Sequence, residues 1–544
     1  MNVLLSYPIF PTSFWSFEKA VQGIGKKAFM PPLCLVTVAA LLPQDWNFRL
    51  RDRNIEPVTE EDWDWADVVM FSGMIAQKED YLAQIREAKR RDKPVVVGGP
   101  YATSLPNDFI NAGADYLVLD EGEYTIGLFV DAFNRGEKSG IFRSKDKPDV
   151  TLSPVPRFDL LDMDAYFLMA IQYSRGCPFQ CEFCDIIILY GRKPRTKTFS
   201  QVEKELDALL ELGWKGGIFF VDDNFIGNKR TVKPFLEKLI DWQTNNGYPF
   251  SFTTEASIDM AQDDQLLELM AHSKFSTVFI GIETPDTDSL KLTLKHQNNR
   301  TPMNESLEKI AKSGLRIMAG FIIGFDDEKK GAGQRVFNFA TENAIPGVTF
   351  SMLQALPGTA LWDRLKASDR LLDDANLNQT TLLNFIPTRP IEDIAEEYVE
   401  AFWKLYDPKN YMKRVFDHFM MVGQAEVHRN PELRKKMANK HKTDFDFKGI
   451  MFGLKMLAKL GFVRSTRFVF WKYLYRMYRE NPGGIGNFLS FAAFMEHFLP
   501  YRKMVKKEIE EALKARMDGK VQVMKPMIEL SEDNEKDIKW YQAS

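Results

Sequence analysis

The sequence predicts an α/β chain in three parts: an N-terminal doubly wound parallel sheet, a central partial (β/α)6 barrel and a C-terminal helical module. Three observations carry this. Short β-branched runs alternate with helical patterns over the first 125 residues, six further strand-like runs separated by helical segments follow between about 164 and 363, and beyond residue 370 the strand pattern stops. At 544 residues the chain is long enough for two or three domains, each with its own core.

In the first part NVLLSYP (2–8), FRLRD (48–52), ADVVMFSG (66–73), KPVVVGG (93–99) and ADYLVLDEGE (114–123) each read as a buried strand ending in a polar or glycine-containing turn. That is the pattern of a doubly wound, Rossmann-like sheet. PPLCLVTVAALLP and EDYLAQIREAKRR supply helices between them. A stretch rich in Gly, Lys, Asp and Pro at about 135–157 marks the first boundary. The parts are set at 1–145, a linker at 146–165, 166–370 and 371–544.

The barrel strands are FLMAIQYS (167–174), GGIFFVDDN (216–224), FSFTTEAS (250–257), TVFIGIETP (277–285), LRIMAGFIIG (315–324) and GVTFSMLQALPG (347–358). Six units imply an incomplete barrel. The helix after the first strand carries an expected capping box, Ser200 with Glu203, and an apolar face of Val202, Leu206 and Leu209.

Composition excludes little. With 45% apolar and 27% charged residues and a net charge of -4, nothing global points to nucleic acid. The opening MNVLLSYPIFPTSFW has no basic leader, and no apolar run reaches the roughly 18 residues a membrane span needs; a cytoplasmic chain is expected. Residues 451–480 have a bias of their own, with seven basic side chains, one acid and eight aromatics. Two arrangements fit: the aromatics pack on the barrel and the charges face solvent, or the stretch makes peripheral membrane contact.

Three of the four cysteines fall in SRGCPFQCEFCD, spaced Cys177-x3-Cys181-x2-Cys184. A structural zinc site wants four ligands, and neither a histidine nor a fourth cysteine lies near; Cys34 belongs to another domain and reads as a small buried residue in a helix. Three thiolates suit an iron-sulfur cubane with one iron left open.

This spacing, with Phe183 before the last cysteine and at the end of the first strand of a partial barrel, resembles the radical S-adenosylmethionine enzymes. The resemblance implies that Cys177, Cys181 and Cys184 hold a [4Fe-4S] cluster whose open iron is chelated by S-adenosylmethionine, which a cluster electron then cleaves. Strand ends supply further candidates for that cofactor: Asp222, Asp223 and Asn224, then Glu255, Glu283, Gly320 and Gly324 in GFIIGF, and Gln354 ahead of ALPGTALW. Glu283 and Asp222 rank above Glu255.

A doubly wound sheet before such a barrel resembles the cobalamin-binding subgroup. The candidates there are Ser72 and Gly73, Gly98, Gly99 and Pro100, and Glu121, Gly122 and Glu123, all at strand ends. The D-x-H-x-x-G motif that supplies a lower axial histidine in many cobalamin proteins is absent. A rival dinucleotide motif, Gly23-x-Gly25-x-x-Ala28, fails because no strand leads into it.

FMPPLCLVTVAALLP, SRGCPFQCEFCDIIILYGRKPRTK and the helical C-terminal part resemble the branch that includes the hopanoid 2-methylases. That implies methylation of an unactivated carbon of a lipid-like or polycyclic small molecule, through a 5'-deoxyadenosyl radical and methylcobalamin. An electron donor such as flavodoxin or ferredoxin is implied too. Side chains then position and shield, and no catalytic residue is assigned. Two alternatives stand beside this: a radical cyclase or rearrangement enzyme without methyl transfer, and a non-catalytic redox sensor.

Overall fold

Continuous apolar runs such as VLL at 3–5 and VVMF at 68–71 are hidden only when both faces of a sheet are covered. In the computed structural model, which describes residues 1–372, 380–441, 447–519 and 539–543, side chains alternate accordingly. Leu4, Val69, Phe71, Val95 and Val97 pack on one face, and Val3, Leu5, Val68, Met70 and Val96 on the other.

The first sheet comprises β1 (Asn2–Tyr7), β2 (Asn47–Asp52), β3 (Val68–Ser72), β4 (Val95–Gly98), β5 (Tyr116–Val118) and β6 (Gly140–Arg143). All pair in parallel, and β1 lies between β2 and β3, so strand order reverses at β1 and β3. The five predicted strands are present. The sixth, β6, lies in the stretch read as connecting. Strands do not stop at residue 370 either: Trp540–Gln542 returns to the first sheet and pairs with β6, its Tyr541 stacked on Phe142 at 4.8 Å. Both segments are three or four residues long, too short to show a period in sequence.

The second sheet is a six-stranded parallel array in the order of the chain, bent into an open barrel: β7 (Leu168–Ile171), β10 (Gly217–Phe220), β11 (Ser251–Glu255), β12 (Phe275–Glu283), β13 (Arg316–Ile323) and β14 (Gly347–Met352). Between the first two, a two-residue ladder joins β8 (Ser174–Arg175) to β9 (Arg195–Thr196) and closes the neck of the cysteine loop. The helix Phe199–Glu211 buries Val202, Leu206 and Leu209 as expected. Its capping box is Thr198 with Gln201, not Ser200 with Glu203, because Thr198 keeps an extended backbone while Ser200 is already inside the first turn.

The C-terminal helices Ile391–Leu405, Pro408–Val422 and Ile485–Met517 pack on one another and on the barrel. Phe14 and Phe17, from the loop after β1, lodge against Phe498 and Phe494. Among the described residues no helix is long and apolar enough to cross a membrane.

Candidate functional site: the barrel mouth and the switch point of the first sheet

The cysteine loop leaves β8 through Gly176, whose φ is 91°. A Cβ there would lie 2.8 Å from the carbonyl oxygen of Gly191, so only glycine makes this exit. Two predicted carboxylates hold the entry. Asp222, fully buried, accepts from the amides of Tyr173 and Ser174, both at 2.8 Å, and from the Ser174 hydroxyl at 2.7 Å. Asp223 accepts from the amide of Gly176 at 2.8 Å. Burial pushes their carboxyls up, to about 7 and about 6, against the pull of these hydrogen bonds. The oxygens of Asp222, a candidate ligand contact by sequence, are engaged by the loop it anchors.

The three loop thiols are half-buried, and burial raises all of them. Two amides point at them: Asn224 Nδ2 lies 4.0 Å from Cys177 Sγ, and Gln297 Nε2 lies 3.7 Å from Cys181 Sγ. Donors aimed at sulfur suit a charged iron-sulfur cluster. Among the described residues no three His, Cys, Asp or Glu side chains are arranged to hold a single metal ion. In a cubane each iron takes one thiolate, so the cysteines need not converge on one point.

Glu255 stands in a different environment. It ends β11, is walled in by protein, and its carboxylate has no hydrogen-bond or ion-pair partner among the described residues. Burial, with the charges of Asp223 and Asp222, raises it to about 7. Glu283, at the end of β12, is instead ion-paired with Lys295. Burial opposes the charge of Lys295, yet the Glu283 carboxylate and the Cys181 thiol raise its pKa overall. Gly281 leaves room for this pair, since a Cβ there would sit 2.5 Å from Glu283 Oε1 and 2.7 Å from Lys295 Nζ.

Gln354 donates to the carbonyl of Leu382 at 2.9 Å, and its Oε1 is buried without a partner among the described residues. Gly320 faces the Phe279 ring, and the amide of Gly324 donates to Glu328 at 3.0 Å. Phe183 and Phe325, 6.1 Å apart, wall a cleft of about 550 Å³ that runs between the cysteine loop and the helix Ala360–Ala367. Sequence reasoning missed Lys295, Gln297 and Glu328. The first two sit in LKHQNN, a loop without motif, and the third is visible only as an acid four residues after a strand-end glycine.

The switch point is the second candidate region. Cys34, expected to be buried, does lie in a helix, Leu33–Leu41, but is solvent-accessible while ringed by protein. Burial pushes its thiol up, Ser72 hydrogen-bonds it, and Asp52 and Tyr7 stand close by. These residues stand at or beside the carboxyl ends of β1, β2 and β3, where doubly wound sheets bind ligands. No imidazole can reach them from this part of the chain, for the first histidine is His272.

The paired glycines serve the sheet-to-helix join. Gly99 has a φ of 87° and a Cβ there would lie 2.4 Å from Ser72 Oγ; a Cβ on Gly98 would lie 2.8 Å from the carbonyl of Val118. Pro100 then opens the helix Gly99–Ser104. Gly73 packs against Gln77 and Tyr81, and Gly122 against Ile126.

Glu121 and Glu123 are not free. Arg175, two residues before Cys177, pairs with Glu121 at 2.9 Å and with Glu123 at 2.9 Å, and Arg195 pairs with Glu121 at 2.8 Å. Burial works against the Glu123 charge, but Arg175 and the Ser153 hydroxyl hold its carboxyl down at about 2. This buried cluster joins the neck of the cysteine loop to the first sheet.

Comparison with known proteins agrees with both regions. Residues 26–130 match the B12 binding domain, 171–340 the radical SAM superfamily, and 359–511 a domain of unknown function (DUF4070). An uncharacterized methyltransferase from Synechocystis is 55% identical over 94% of this chain and 94% of its own. The hopanoid C-2 methylase of Rhodopseudomonas palustris is 34% identical over 92% of this chain and 94% of its own. Among solved structures, TsrM from Kitasatospora setae with cobalamin and a [4Fe-4S] cluster bound shares the fold, with a TM-score of 0.59 and 15% identity over 80% of this chain and 99% of that one. OxsB with aqua-cobalamin bound gives a TM-score of 0.58 and 15% identity over 96% and 82%. With near full-length relatives at these identities, the chain belongs to the cobalamin-dependent radical S-adenosylmethionine methyltransferases, an enzyme family whose cofactors are a [4Fe-4S] cluster, S-adenosylmethionine and cobalamin.

Proposed function

We propose that this enzyme methylates an unactivated carbon of a lipid-like or polycyclic substrate. The observation that carries the reading is the buried clamp of Arg175 and Arg195 on Glu121 and Glu123, which couples the cysteine loop to the switch-point face of the first sheet. Buried charges are costly unless paired this fully, and methyl transfer that draws on both regions needs them held against each other. The substrate class is drawn from the near full-length likeness to a hopanoid C-2 methylase.

Bound at these sites, the cluster, S-adenosylmethionine and cobalamin would supply the radical and the methyl group. Cys177, Cys181 and Cys184 hold the cluster in this reading, with Asn224 and Gln297 donating toward its thiolates. Asp222 and Asp223 hold the loop in place. Glu255 offers a free carboxylate to the ammonium or ribose hydroxyls of S-adenosylmethionine, and Lys295 holds Glu283 in an ion pair. Gln354 Oε1 is an acceptor for an exocyclic amino group, while Phe183, Gly320 and Gly324 border the nucleoside. Ser72, Gly73, Gly98, Gly99, Pro100 and Gly122 frame the cobalamin site in this reading together with Tyr7 and Cys34, and Glu121 and Glu123 position it. The electron comes from a carrier such as flavodoxin or ferredoxin.

The test is anaerobic reconstitution with all three cofactors, a reductant and a polycyclic lipid. Both 5'-deoxyadenosine and S-adenosylhomocysteine are expected. Deoxyadenosine alone would replace methyl transfer with cyclisation or rearrangement. Neither product, from a loaded and reduced enzyme offered several lipids, would remove the substrate class.

A further inference from the structure

The helix Arg467–Glu480 carries apolar side chains on two faces about 110° apart at 3.6 residues per turn. Phe470 and Met477 are fully buried and Leu474 partly so, facing the rest of the C-terminal module. Phe468, Trp471, Tyr475 and Tyr478, spaced by three and four residues, lie within an arc of about 80° on the outer side at 3.6 residues per turn. They are 74%, 37%, 61% and 65% exposed. The turn before the helix continues this stripe: Phe462 and Val463 are exposed, and the Phe462 ring meets Trp471 at 5.7 Å.

Single exposed apolar side chains are ordinary, whereas a contiguous patch marks an interaction site. Eight of the nineteen large exposed apolar side chains among the described residues fall within 451–480. The expectation that this stretch simply packs inward therefore accounts for only one side of it.

Charge identifies what covers the other side. Lys472, Arg476 and Arg479 run along one edge of the stripe, and Arg467, its guanidinium 4.8 Å from the centre of the Phe468 ring, along the other. The one acid of the segment, Glu480, is taken by Arg476. Lys455, Arg467, Lys472 and Arg479 have no carboxylate partner among the described residues. A second copy of this chain is a poor cover, since apposing two such faces sets like charges against each other. An anionic bilayer suits both features, with aromatic rings at headgroup depth and Lys and Arg reaching lipid phosphates.

We propose that 451–480 is a docking surface for an anionic lipid bilayer, seated through Phe462, Val463, Phe468, Tyr475 and Tyr478. The proposal deepens the lipid-substrate reading and rests on it only for why the enzyme would visit a membrane.

The test uses the reconstituted full-length enzyme, sedimented with phosphatidylcholine vesicles with and without phosphatidylglycerol, at low and high salt. Binding is expected to the anionic vesicles at low salt, with hydrogen-exchange protection confined to this segment. The triple variant Phe468→Ser, Tyr475→Ser, Tyr478→Ser should lower vesicle affinity at least about tenfold, and Lys472→Glu with Arg479→Glu should do so with the stripe intact. Both should keep the wild-type melting temperature and S-adenosylmethionine cleavage, because these side chains are exposed and remote from the cysteine loop. Failure to bind anionic vesicles, equal binding to neutral ones, or a dimer that the triple variant dissolves would overturn the surface. An enzyme that binds vesicles yet methylates no polycyclic lipid would keep the surface and lose the substrate class.

Discussion

At the end of β10 in the barrel, two carboxylates are spent on backbone: Asp222 on Tyr173 and Ser174, Asp223 on Gly176. At the ends of β1 and β3 in the first sheet the polar groups meet side chains instead: Tyr7 meets Gln77, and Ser72 meets Cys34, which is itself exposed. The division also runs within each region. Glu255, one strand along from Asp222, is unpartnered among the described residues, while Glu121 and Glu123, at the end of β5, are consumed by Arg175 and Arg195. A strand-end acid is thus a positioning group when an amide or guanidinium lies within reach and a binding group when none does. Its place at the strand end is the same in both cases.

The largest test of that contrast is Arg175→Leu. It strands Glu123 and half of the pairing of Glu121 in a buried site, and should cost about 3–5 kcal/mol in the unfolding of the cofactor-free protein. A loss below about 1 kcal/mol would mean the clamp is no more than a surface contact. Next, Asp222→Asn exchanges an acceptor for a donor opposite the Ser174 amide and should cost about 1–3 kcal/mol. Iron retention after desalting should fall with it, because the loop entry loosens.

Glu255→Gln should show itself in pH dependence. With its carboxyl raised to about 7 in the folded protein, the native state holds a proton that the unfolded chain releases at ordinary carboxylate pH. Wild-type stability then falls as pH rises from about 4.5 to 7, by at most about 1.4 kcal/mol per pH unit from this group. The variant should match the wild type below that window and gain on it above, read as melting temperature against pH. A parallel pair of curves would show that Glu255 has a hidden partner. Smallest is Gln297→Leu, which should leave iron content unchanged and lower the cluster's reduction potential in a dye-coupled titration, since a donor to the Cys181 sulfur is removed.

Much of this was legible in the sequence. The six barrel strands and five of the first sheet announced themselves through apolar runs ended by polar turns, and the three cysteines through spacing alone. A ranking of Asp222 and Glu283 above Glu255 could not rest on sequence alone, because a carboxylate's availability depends on what stands opposite it. The donors to Asp222 are 48 and 49 residues away, and the guanidinium that consumes Glu121 is 54 residues away. Gln297 reaches Cys181 across 116 residues. Cys34 reads as a core residue because its helix is apolar, yet the fold leaves it exposed at the strand ends.

Local chemistry, then, determined the parts list by itself: periodicity of two and 3.6, turn residues, and three thiols within eight positions are properties of neighbours along the chain. Tertiary structure decided how those parts are used, namely which acids hold backbone, which remain free, that Trp540–Gln542 closes the first sheet, and that Arg467–Glu480 turns aromatic rings outward. Hydrogen bonding, desolvation and burial act through space, so they are settled only when distant segments meet.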